Sequence, residues 1–78
     1  MYEVDTKELK IAMVEAGIKN ITELSKASGV NRNTTAEVIS GEIYPSSMVM
    51  ARFVAALGIG AERAGRIFFK QKLTESVS

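Results

Sequence analysis

Apolar residues recur at helical spacing through most of the chain. Leu9, Ala12, Met13 and Ala16 stand three and four apart, which is the pattern of one helical face. Asp5 with Glu8 three positions on is a capping box, and Val4 and Leu9 stand where a hydrophobic staple forms. These features predict a helix over 6–16, ended by Gly17, with Ile18 plugging the junction that follows. Asn20 and Glu23 repeat the capping pattern. The helix they start, over 21–28, ends at Gly29, a residue type that takes positive φ without steric cost. Val30 is an apolar plug. Asn31 then caps a third predicted helix over 32–40, which Gly41 closes. Leu24, Val30 and Val38 are the anchors expected to pin the second and third helices together, with Arg32, Asn33, Ala36, Glu37 and Ser40 facing away. Helices this short are marginal in isolation, so the rest of the domain must hold the pair.

Pro45 cannot continue a helix, and Ser46 or Ser47 can cap the next one. A loop over 42–47 and a fourth helix over 47–57 follow, the helix inward on Met50, Phe53, Val54 and Leu57. Gly58-Ile59-Gly60 is a break. A fifth helix is expected over 61–73, burying Ala64, Ile67 and Phe68, with a frayed tail at 74–78. Residues 1–4 form an irregular or short extended lead-in. No alternation of strand length competes with these helices, and no repeat or linker divides them. The expected fold is all-α: five helices in a single domain over 1–78.

Composition narrows the function classes. The chain is 46% apolar with one proline, as a folded chain should be. It contains no cysteine and no histidine, which removes disulfides, thiolate metal sites and the commonest general base. Without a glycine-rich phosphate loop or clustered carboxylates either, nothing assembles a catalytic constellation. No enzyme, metal, cofactor or small-molecule substrate is expected. No apolar run approaches a membrane span and no signal-peptide pattern opens the chain, so a cytoplasmic protein with no membrane partner is expected. Net charge is only +1, low for a protein that holds a polyanion. Lys26 and Arg32 are balanced by Glu23 and Glu37, whereas Arg63, Arg66, Lys70 and Lys72 outnumber Glu62. The basic excess therefore falls on the last predicted helix.

The stretch 20–41 resembles the helix-turn-helix of the lambda-repressor/Cro-like family, also called the XRE family. The resemblance runs through Leu24, small Ser25, Gly29-Val30 in the turn, Asn31-Arg32-Asn33-Thr34, Val38 and Gly41. It extends from about Leu9 through Phe68, including Pro45 and Ala56-Leu57-Gly58-Ile59. It implies a five-helix lambda-repressor-like DNA-binding domain with the motif at helices 2 and 3. Carried over by position, Arg32, Asn33 and Glu37 are the expected base readers. Arg suits guanine, Asn suits adenine, and Glu can accept from a cytosine amino group. Asn20, Asn31, Thr34 and Ser40 are the expected phosphate contacts. Three departures from the family pattern stand out. Ile21 stands where a phosphate-binding glutamine is common, Thr35 replaces an apolar residue and so weakens packing, and Glu42-Ile43-Tyr44 replaces a basic loop. Each removes charge or a hydrogen bond, so a monomer is expected to bind DNA weakly.

Ile21, Ile43, Tyr44, Met48 and Val49 fall where relatives are generally polar, and Phe69 lies beside inward-facing Phe68. They read either as a protein interface, with Ile43, Tyr44, Met48 and Phe69 as its candidates, or as an enlarged core. The cations at 63–72 suit phosphate, an acidic partner or plain solvent. Two functions remain open. One is a sequence-specific transcriptional regulator of Cro-like phage type that binds double-stranded operator DNA, as a homodimer or with a repressor protein. The other is an antirepressor or modulator in a lysogeny switch, which binds a partner repressor through the apolar surface and has weak or no DNA binding of its own.

Overall fold

The computed structural model describes residues 1–72. A two-residue strand, β1 (Tyr2–Glu3), leads into five helices: α1 (Thr6–Glu15), α2 (Ile21–Ser28), α3 (Arg32–Ser40), α4 (Ser47–Leu57) and α5 (Ala61–Phe68). A second short strand, β2 (Lys70–Gln71), closes the described chain and pairs antiparallel with β1, Tyr2 opposite Gln71 and Glu3 opposite Lys70. The fold is all-α, with this small ladder joining its two ends.

Four of the five helices start on a side-chain cap, which satisfies N–H groups that the first turn leaves without partners. Asp5 accepts from the Glu8 N–H, Asn20 from Glu23, Asn31 from Asn33 and Thr34, and Ser46 from Val49. The Glu23 carboxylate answers by accepting from the Lys19 N–H at 2.7 Å, one residue ahead of the cap itself. Gly60, ahead of α5, has no side chain to offer.

Leu9, Leu24, Val38, Phe53, Ile67 and Phe68 are fully buried, one or two from each helix. Burial of a large apolar side chain is worth about 1.5–3 kcal/mol, so these six dominate the core energy. Several details differ from the sequence reading. Ile39, not expected inside, is buried; of the two readings open for the apolar positions, Ile21 and Val49 follow the enlarged core, Val49 buried and Ile21 packed half-buried on it. Ala16 is exposed, because it is the C-terminal cap of α1 and no longer on its buried stripe. Thr35 is completely buried, yet its hydroxyl donates to the Asn31 carbonyl at 2.9 Å. That bond offsets the cost of burying a hydroxyl where an apolar group would otherwise pack.

The fifth helix ends at Phe68, five residues before the expected 73; Leu73 and the tail at 74–78 lie outside the described residues. The reason is competition for carbonyls. A longer helix would give the Ile67 and Phe68 carbonyls to the N–H groups four residues on. Instead the Ile67 carbonyl accepts from the Asp5 N–H at 2.7 Å, the Phe68 carbonyl accepts from the Tyr44 hydroxyl, and the Lys72 N–H donates to Met1. The N-terminal lead-in and the α3–α4 loop thus take the place of the last helical turn.

Candidate nucleic-acid interface

The candidate site is built on the junction of α2 and α3. Gly29 adopts φ 75°, ψ 12°, and the chain turns through Val30 and Asn31 into α3. Small hydroxyls fasten this turn from inside. Ser25 Oγ donates to the Val30 carbonyl at 2.6 Å, Ser28 Oγ donates to the Leu24 carbonyl at 2.7 Å, and Ser28 Oγ accepts from the Val30 N–H at 3.2 Å. Together with Thr35, these bonds let α2 and α3 approach closely with their inward hydroxyls paired. Among the described residues no buried side-chain nitrogen or oxygen lacks a partner.

The inward stripe of α3 is Thr35, Val38 and Ile39, which turns Arg32, Asn33 and Ser40 to solvent and leaves Ala36 and Glu37 half-exposed. Arg32 is held from the side. Its Nε donates to Thr22 Oγ1 on α2 at 3.0 Å, and among the described residues it makes no ion pair. Both terminal nitrogens of its guanidinium therefore remain for an end-on, two-pronged hydrogen bond. Asn33 is exposed beside it. Asn31 spends its side-chain oxygen on the cap, accepting at 2.7 and 3.4 Å, which leaves its amide N–H groups as donors. Thr34 is half-buried next to it.

Not every expected contact joins this group. Asn20 is exposed at the start of α2, its side-chain oxygen engaged by the Glu23 N–H at 2.9 Å. Glu37 is one turn further along α3, and its backbone carbonyl gathers donors from Ser40, Glu42 and Ile43. Ser40 lies at the opposite end of α3, about 12 Å from Arg32 at 1.5 Å per residue. It lines a depression with Asp5, Thr6 and Lys7, well away from the turn.

The apolar candidates divide in two. Ile43 and Tyr44 line a depression of about 430 Å³ with Met1 and Tyr2. Phe69 meets Tyr2 edge to face, with centroids 5.2 Å apart. Burial, followed by the nearby Tyr2, pushes the Tyr44 phenol up from its ordinary pKa. Met48, 63% exposed, belongs to a different groove of about 260 Å³, lined by Gly29, Val30, Asn31, Thr34, Val49 and Arg52.

That groove contains the residue the sequence reading missed. Arg52, on α4, brings its guanidinium to the α2–α3 turn: a Cβ placed at Gly29 would stand 3.0 Å from Arg52 Nη1. No local spacing signals this, because it depends on how α4 crosses the turn. The charge picture changes with it. In the C-terminal region, Arg63 pairs with Glu15, Arg66 with Glu62 at 3.9 Å and Lys70 with Glu3 at 3.7 Å. Among the described residues, Lys26, Arg32 and Arg52 form no ion pair. Three of the four cations at the C-terminal end are thus paired, two of them with carboxylates from the N-terminal part, while Arg32 and Arg52 beside the α2–α3 turn are not.

No family model, curated protein or solved structure matches this chain. Among the described residues no helix is long and apolar enough to cross a membrane, and no cluster of acidic side chains is placed to hold a metal ion.

Proposed function

We propose that this chain is a sequence-selective DNA-binding transcriptional regulator of Cro-like type, acting in the cytoplasm, with α2 and α3 as a helix-turn-helix and α3 entering the major groove. The observation that supports this best is the exposed start of α3, where Arg32 donates through its Nε to Thr22 and keeps its terminal nitrogens out of any ion pair among the described residues. An α-helix with its side chains is about 10–12 Å wide, and the major groove is about 12 Å wide. Arg32 then reads a guanine edge, Asn33 an adjacent base, and Asn31 and Thr34 a flanking phosphate. One subunit supplies few contacts, so operator binding as a dimer follows.

Selection from a pool of randomised DNA duplexes tests the reading. Enrichment of a motif containing guanine, with two half-sites about one helical turn apart, is the expected result. A pool that stays random contradicts it.

A second reading, a modulator that captures a partner repressor, is supported by the exposure of Met48 and Phe69 at 63% and 50%. It predicts that sedimentation with a helix-turn-helix repressor from the same genome yields a mixed complex, and that aspartate at either position abolishes that complex without unfolding the domain. A wild-type chain that sediments independently of the repressor removes this reading.

A further inference from the structure

We infer that the groove between the start of α3 and α4 is a phosphodiester subsite, with the Arg52 guanidinium as its cation. This rests on the DNA-binding reading above and extends it to a residue on α4 outside the motif. Arg52 lines the groove together with Asn31 and Thr34. Its Nη1 reaches the α2–α3 turn, where a Cβ placed at Gly29 would lie 3.0 Å away. Glycine at that position leaves room for the guanidinium to lie against the turn.

Three features suit an anionic oxygen and no other occupant as well. Among the described residues Arg52 has no carboxylate within ion-pair distance and no hydrogen-bond partner, although the other arginines are each engaged. Asn31 has committed its acceptor oxygen to the helix cap, so what it can offer the groove is N–H. The Thr34 hydroxyl adds a further donor. The lining contributes a cation and neutral donors, with no acidic side chain. Val30 and Val49, both buried, form its apolar floor and exposed Met48 stands at its rim; none of the three competes for the ligand. A phosphate held here would flank the base edge facing Arg32 and set how deeply α3 sits in the groove, which is the positioning role of backbone contacts.

The test is the salt dependence of binding to a random-sequence 24-bp duplex, followed by fluorescence anisotropy. Each neutralised phosphate contributes about 0.9 to the slope of log K against log salt. Arg52→Gln, which keeps an apolar stem over the turn, should lower that slope by about 0.9 and weaken binding about eightfold at 0.1 M salt. Its melting midpoint should not move. Arg52→Lys should restore the slope, and Arg66→Ala should leave it unchanged. Met48→Lys adds a cation to the same groove and should raise the slope by about as much, independently of any effect of changing Arg52. If wild type binds duplex while the Arg52→Gln and Met48→Lys slopes both equal its own, the subsite is wrong and the DNA reading stands. If wild type binds no duplex at low salt, the DNA reading fails and the subsite with it.

Discussion

The α2–α3 pair and the C-terminal end of the molecule are built by opposite means. Each helix of the pair has a side-chain cap at its start and a left-handed glycine at its close, Gly29 or Gly41. Every one of those devices acts within a few residues of itself. α5 has no side-chain cap, and its last carbonyls are satisfied by Asp5 and Tyr44, more than twenty positions away. The first region carries the exposed donors, and rigid local construction suits a surface that must present them in fixed geometry. The second region is a clasp that ties the two ends of the described chain together.

Breaking the shared core should have the largest effect. Val38 is fully buried, and an unpaired carboxylate there is among the costliest single changes. Val38→Asp should cost more than about 4 kcal/mol and unfold the domain in a circular-dichroism melt. An unchanged midpoint would show that α3 packs in another register. Next comes the local construction of the turn. Gly29→Ala forces an alanine to φ 75° and should cost about 1–2 kcal/mol by chemical denaturation. The added Cβ meets only the mobile end of Arg52, so a much larger loss would mean that Arg52 is held more tightly than the groove suggests.

The clasp should be softer. Tyr44→Phe removes the donor to the Phe68 carbonyl and should cost about 1 kcal/mol. Hydrogen exchange should quicken at Asp5 and Lys72, whose amides donate across the clasp, and stay constant in α2 and α3. Uniform acceleration across both regions would erase the distinction between them. The smallest effect concerns pH. A hydrogen bond from Arg63, reinforced by its charge, holds the Glu15 carboxyl below its usual range. A depressed carboxylate pKa stabilises the fold above the unfolded pKa, and that contribution is lost as pH falls through the folded one. Glu15→Gln should therefore lower the neutral plateau of Tm slightly and leave the acid end where it is, which flattens the acid limb between them. An acid limb identical to wild type would mean that the pair adds nothing in solution.

The same contrast explains what could be read from the chain in advance. Asn20, Gly29, Asn31 and Gly41 declare their roles through their immediate neighbours, and α2, α3 and α4 fall where capping and periodicity place them. The end of α5 was illegible, because the donors that displace its final turn come from Asp5 and Tyr44. Val49 stayed open between an interface and an enlarged core, although it continues the inward stripe of Phe53 and Leu57 at four-residue steps and is buried. Arg32 and Asn33 were legible as exposed polar residues at a helix start. Arg52 was not, since only the crossing of α4 over the turn brings it there. Thr22 escaped as well, because its bond to Arg32 spans two helices. Local chemistry is visible in the sequence, and chemistry assembled between distant elements is not.

The central claim is that the start of α3 reads duplex DNA through Arg32. The most direct measurement is an anisotropy titration of wild type and Arg32→Ala, at one salt concentration, against the duplex that selection enriches and against a copy with its guanine replaced. Arg32→Ala should lose about 1–3 kcal/mol on the enriched duplex and should no longer distinguish the two. Equal affinity of both proteins for the enriched duplex, with the preference for guanine intact, would contradict it.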